Sequence, residues 1–269
     1  MASNVQWWCS AQGTRWTWNW RAYPGIWLVA LAIAGGYWAA VRGGPDTPSA
    51  RRRRAIGWAG VVLAWLSLDW PLGPLATGYL ASAHALQFLL LTMVVSPLIL
   101  VGLAPGLAAR PEPAGWWWRV LRVLTSPLVA AIIFNIIAGA THVPAVVDGF
   151  MVSQLGSFAL DLSWIVAGLA LWWPIVMSRP ARQFPVPFKL LYLFLATLIH
   201  SGIAVVMLFA EFPIYGIYQL APPMRGLTPM TDLQIAGGIM ELGGLVVVFG
   251  VMTGLFFTWA NRSAADDGA

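Results

Sequence analysis

The sequence predicts an all-α, polytopic membrane protein: a bundle of about seven transmembrane helices, with the N-terminus outside and the C-terminus in the cytoplasm. Three observations carry this reading. Of 269 residues, 59% are hydrophobic and only 9% charged, against roughly 25% charged in soluble domains, so the chain cannot clothe a globular surface in water. The apolar residues come in long blocks, as a helix crossing about 30 Å of hydrocarbon requires, whereas a transmembrane barrel would show short alternating segments. The basic residues fall between those blocks and mostly on one side, the asymmetry that sets topology in membranes.

Residues 1–23 form a Trp-rich segment holding Trp7, Trp8, Trp16, Trp18 and Trp20. Indoles favour the headgroup zone, so this segment is expected along the outer interface, before the chain enters the bilayer at Pro24. It lacks the basic start and apolar run of a cleavable signal. The first span covers 24–41 and is followed by Gly43, Gly44, Pro45 and the run Arg51–Arg54, read as a topological anchor. The second, 55–69, is short and ends in the turn-rich stretch Asp69 to Pro74. The third covers 78–103, and a Pro/Gly loop with Arg110, Arg119 and Arg122 follows it. The fourth covers 126–143, with Pro144 close behind.

The fifth span, 152–177, ends in Trp172-Trp173-Pro174, and the next loop holds Arg179, Arg182 and Lys189. The sixth covers 188–210; Glu211 to Thr231 then make a loop with Pro213, Pro222, Pro223 and Pro229. The seventh covers 232–259 and completes a transmembrane domain at 24–260. A polar cytoplasmic tail, 261–269, begins beside Arg262. Counted by side, twelve of the fifteen Lys and Arg residues lie together, leaving Arg15, Arg21 and Arg225 on the other side. The richer side is cytoplasmic by the positive-inside rule. The formal charge of +5 is thereby spent on topology, and membrane lipids, not nucleic acid, are its expected partner.

Ionisable residues inside a membrane are costly and are functional candidates by default. At 1.5 Å rise per residue, His84, His142, Asp161, Met207, Met240 and Glu241 all fall in the outer half of the bilayer. Imidazole and thioether are ligands that Cu(I) accepts, so His84, His142, Asp161, Met240 and Glu241 form a candidate copper set. The same groups would also serve a proton relay. The plainer alternative is structural: intramembrane histidines often hydrogen-bond between helices, at roughly 1 kcal/mol each, and Met fills packing gaps. His200 lies near mid-membrane, away from this set, and reads as structural or as a relay element.

Asp232 is placed as an N-terminal cap or first-turn acid on its own helix. The glycine pairs at 35–36, 237–238 and 243–244 are expected to permit close helix approach. The single cysteine, Cys9, excludes an intrachain disulfide and a Cys-based metal cluster and reads as incidental. The chain has no phosphate-binding Gly-rich loop, no G-x-S-x-G elbow and no H-E-x-x-H, so it does not read as an enzyme.

The segment from Tyr79 through His84 to Leu91, with Ser96-Pro97-Leu98 and Gly102, resembles the CtaG-type cytochrome c oxidase assembly factors of the caa-type branch. The likeness continues through Phe134-Asn135, Thr141-His142-Val143-Pro144, Leu171 to Val176, Pro213-Ile214-Tyr215 and Asp232 to Met240. Trp20 to Gly25 fits as well, so it covers nearly the whole chain. The resemblance implies a multi-pass protein of the bacterial inner (cytoplasmic) membrane that helps mature a haem-copper oxidase, handling copper at the outer leaflet.

The family pattern is His-Met-x-x-His in helix three, Trp-His-x-Pro in helix four, a His eleven residues before the Trp-Trp pair in helix five, and Met-Trp in helix seven. This chain keeps His84, His142 and Met240. It has Ala85 for the Met, Phe88 for the second His, Thr141 for the Trp, Asp161 for the helix-five His and Glu241 for the last Trp. Carboxylates are poorer Cu(I) ligands than the groups they replace. Two expectations therefore stand. In one, His84, His142 and Met240 bind copper, with Asp161 or Glu241 completing the site. In the other, the copper site is lost and the scaffold is an accessory subunit of a larger respiratory or photosynthetic electron-transport complex.

Overall fold

A computed structural model of the protein describes residues 6–108, 115–177, 184–224 and 226–267. Among these, every regular element is helical: α1 Pro24–Val41, α2 Pro48–Leu68, α3 Leu72–Gly78, α4 Ala81–Leu89, a π-helical stretch Leu90–Val95, α5 Ser96–Ala108, α6 Trp116–Leu124, α7 Pro127–Thr141, α8 Pro144–Met151, α9 Gln154–Val176, α10 Val186–Leu208, α11 Gly216–Gln219 and α12 Pro229–Asp267. Five helices are each long and apolar enough to cross a membrane: α1, α4 running through α5, α9, α10 and α12. Two bent pairs, α2 with α3 at 46° and α6 with α7 at 68°, raise the number to seven if each pair is one span. The expected bundle is therefore present.

Its boundaries differ in instructive ways. The second span begins at Pro48, not residue 55, so Arg51–Arg54 lie inside the helix. Thr47 accepts a hydrogen bond from the Ala50 amide and Pro48 occupies the first helical turn, both favourable at a helix start. Hydropathy marks only the part of a helix that meets lipid, and arginine is a good helix former. For the same reason α12 runs on to Asp267, through most of the expected polar tail. The turn-rich stretch after Asp69 and the loop before span four contain the short helices α3 and α6. Arg110, Arg179, Arg182 and Arg225 lie outside the described residues.

The third span is a compound helix. Pro97 has no amide proton to continue the α-helical ladder, and the turn before it opens into the π stretch. Ser96 Oγ donates to the Leu91 carbonyl at 2.8 Å, and Thr92 Oγ to that of Phe88 at 2.7 Å. The Thr92 carbonyl accepts the Trp172 indole N–H of α9 at 3.0 Å. Gly168 lets α9 close on this segment, for a Cβ there would stand 2.4 Å from Ser96 Oγ.

Helix α12 packs against α10 and α4, and α7 packs against α9 and α10. On α12, a Cβ at Gly237 would meet the α10 backbone at 2.5 Å, and one at Gly243 would meet Leu89 at 2.6 Å. Gly35, Gly36 and Gly238 instead face open space, so the expectation of close approach holds for part of that set only. Outward-facing Leu28, Leu31, Leu128, Phe209 and Val246 are exposed, an inversion of the soluble pattern that suits contact with acyl chains.

Candidate functional site: a histidine layer beneath the N-terminal segment

Residues 6–23 of the Trp-rich segment fold over one end of the bundle as non-helical chain. The amides of Trp7 and Trp8 donate to Gln154 Oε1 at 2.7 and 3.2 Å, Ala11 N–H donates to the Met151 carbonyl, and Gly25 N–H to that of Trp7. Gly25 permits this, since a Cβ there would sit 2.4 Å from the Trp7 ring. Trp18 and Trp20 remain exposed, whereas Trp8 and Cys9 are 1% exposed. Burial pushes the Cys9 thiol up, and the charges of Asp161 and Asp69 push it the same way. The thiol is therefore protonated near neutral pH and a poor nucleophile or ligand, in keeping with an incidental role.

The acids at this end have defined partners. Asp161 Oδ2 accepts the Trp8 indole N–H at 2.8 Å. Asp69 takes the indoles of Trp27 and Trp65, each at 2.9 Å, and the Trp70 amide at 2.8 Å. Asp232 is a first-turn acid of its own helix, α12, and its carboxylate also accepts the Ala81 and Ser82 amides and the Ser82 hydroxyl, so it caps α4, the helix that carries His84. Asp148 likewise accepts the Gly216 and Ile217 amides at 3.0 and 2.9 Å, fixing α11 and the tyrosines around it. Sequence spacing cannot reveal a cap supplied from 150 residues away.

Those caps position the histidines. His84 lies in the first turn of α4 and His142 at the C-terminal end of α7; their ring centroids are 5.7 Å apart with planes nearly perpendicular, at 81°. Trp164 of α9 stands edge-on to His84 at 4.8 Å, and its N–H donates to Thr141 Oγ1 at 3.0 Å. Phe88 packs edge-on against His142 at 4.8 Å and stacks on His200 at 5.5 Å. His200 is thus not remote from the set: Phe88 joins it to His142. Tyr215 donates to the His142 carbonyl at 3.1 Å. Tyr218 donates to the Ala76 carbonyl at 2.6 Å, with its ring 6.0 Å from that of His84. Burial pushes the Tyr218 phenol up, which keeps it a hydrogen-bond donor.

The histidine nitrogens are only partly satisfied. His142 Nδ1 lies 2.8 Å from the Ala138 carbonyl, an acceptor, so Nδ1 carries the proton and Nε2 the lone pair. His200 Nε2 lies 3.1 Å from the Met240 carbonyl, which leaves Nδ1 bare by the same argument. Among the described residues, both nitrogens of His84, Nε2 of His142, Nδ1 of His200 and Oε2 of Glu241 are buried without a partner. Met240 is fully buried and Met207 is 1% exposed, the latter with its sulfur 4.0 Å from the Tyr215 hydroxyl.

The structure therefore pairs His84 with His142 and draws in His200, while Asp161 is engaged by Trp8. Among the described residues, no three His, Cys, Asp or Glu side chains gather as a metal-holding group. Trp8, Trp164 and Tyr218 are the residues that sequence reasoning passed over. In a chain with 17 tryptophans, no single indole stands out, although among the described residues it is Trp8 that reaches Asp161.

The family described as cytochrome c oxidase caa3 assembly factor (Caa3_CtaG) matches residues 9–262, nearly the whole chain. The chain belongs to this family of oxidase assembly factors. No curated protein and no solved structure gives a significant match. Assembly, not catalysis, is the role the family carries, and the partner it implies is a cytochrome oxidase. His84 and His142 are two histidines whose rings meet, and Phe88 fills the space between His142 and His200.

Proposed function

We propose that this chain assists assembly of a haem-copper oxidase in a bacterial inner membrane by holding a cuprous ion, as cargo, between His84 and His142. The supporting observation is the bare imidazole nitrogens. A buried polar atom without a partner costs about 1–3 kcal/mol, and here three such nitrogens sit on two rings 5.7 Å apart. Two neutral imidazoles suit Cu(I), whereas Asp161, held by an indole, and the half-buried Glu241 add little to such a donor set. With the arginine-rich end cytoplasmic, as the positive-inside rule requires, the pair lies toward the outer leaflet, under the N-terminal segment.

A second reading is favoured by Phe88 and by the Trp8–Asp161 bond, which leave the site short of a third ligand. In it the scaffold is a permanent accessory subunit of an electron-transport complex, respiratory or photosynthetic, without copper. One experiment separates the two. Protein purified in mild detergent and loaded with Cu(I) should retain about one ion under a moderate Cu(I) chelator and lose it on His84→Ala. Loss of all copper from the unaltered protein, together with stoichiometric copurification of a large membrane complex, would overturn the copper reading in favour of the second.

A further inference from the structure

At the arginine-rich end, away from the histidines, a cleft of about 700 Å³ opens between α2, α5, α6, α7 and α9. Its size lies within the roughly 300–1,000 Å³ that organic ligands occupy, and is far more than one inorganic anion fills. One part of its lining is cationic, from Arg53 and Arg122. Asp46 sits 3.6 and 3.7 Å from Arg51 and Arg54, and among the described residues no carboxylate pairs with Arg53 or Arg122. Arg122 spends its Nε–H on the Trp118 carbonyl at 3.2 Å, which leaves its terminal nitrogens for another acceptor. The described lining contains no acidic side chain.

The starts of two helices add to this charge. Thr47, Ser49 and Ala50 at the start of α2, and Ser126 and Pro127 at the start of α7, all line the cleft, and helix N-termini favour anions. The remaining wall is apolar and aromatic, made by Leu107, Trp118, Trp173 and Phe184. Helix α6 carries Trp116, Trp117 and Trp118 beside Arg119 and Arg122, and departs from α7 by 68°. That composition and bend suit a helix lying in the headgroup plane. An anion-binding rim joined to an apolar wall at headgroup depth matches an amphiphile whose charge is a phosphodiester.

We propose that this cleft is a binding site for one anionic glycerophospholipid, with its phosphate on Arg53 and Arg122 and an acyl chain along the Trp118–Trp173 wall. The site is independent of the copper reading. The test is native mass spectrometry of the delipidated full chain, titrated with phosphatidylglycerol or with phosphatidylcholine of the same acyl length. The first phosphatidylglycerol should bind at least about tenfold more tightly than phosphatidylcholine, and the Arg53→Gln, Arg122→Gln pair should weaken it roughly thirtyfold, at about fivefold per arginine near a membrane surface.

The Arg51→Gln, Arg52→Gln pair removes the same charge from α2 outside the cleft and should leave this binding nearly unchanged. Equal weakening in the two double variants would reduce the effect to surface charge and overturn the proposal. So would equal affinity for phosphatidylcholine, or full displacement of the lipid by millimolar inorganic phosphate.

Discussion

The carboxylates under the N-terminal segment and the histidines packed beside them are built to opposite standards. Asp69, Asp161 and Asp232 each accept one or more hydrogen bonds from indole, amide or hydroxyl donors. His84, His142 and His200 each leave at least one nitrogen bare in an equally buried setting. Satisfied buried acids hold helices in place, whereas unsatisfied buried imidazoles cost stability and persist where they serve something other than folding. The first region is joinery, and the second is the place to look for a ligand.

Three substitutions sharpen or break that contrast. The largest effect is expected from Trp8→Ala, which empties a fully buried indole site and strips Asp161 of its donor. Thermal or denaturant unfolding in detergent should show a loss of about 3–5 kcal/mol. A loss below 1 kcal/mol would mean that the N-terminal segment is only draped over the bundle. Next comes Asp232→Ala, which uncaps α4 from a neighbouring helix. The expected loss in the same assay is about 1–2 kcal/mol, with a fall in copper retention because His84 sits in that first turn. The smallest is His84→Leu: exchanging an unpartnered buried imidazole for an apolar side chain should leave stability unchanged or raise it by about 1 kcal/mol. If it destabilises as much as Trp8→Ala, His84 is structural and the contrast fails.

Much of the architecture was legible in the residues themselves. Span one, 24–41, coincides with α1 because hydropathy and the turn residues on either side agree there. Span two was foreshortened because four arginines hide the helix that continues through them. The histidine pair was legible only in part. Depth along each span placed His84 and His142 in one layer, but depth carries no azimuth, so it could not show which side chains meet, and it set His200 apart. In the folded protein, Trp8 takes Asp161, and Phe88 ties His200 to His142.

The sequence by itself determined a helical membrane bundle, its approximate number of spans, its family and the polar residues that a bilayer would not tolerate without cause. Those properties follow from composition, block length and local motif, all of which are local along the chain. Tertiary structure alone decided which polar groups are spoken for. Trp8 and Asp161 are 153 positions apart, Ala81 and Asp232 are 151 apart, and only the packing of helices brings such partners within 3 Å. A hydrogen bond acts over one atomic contact, and chain position says nothing about that distance until the bundle has closed.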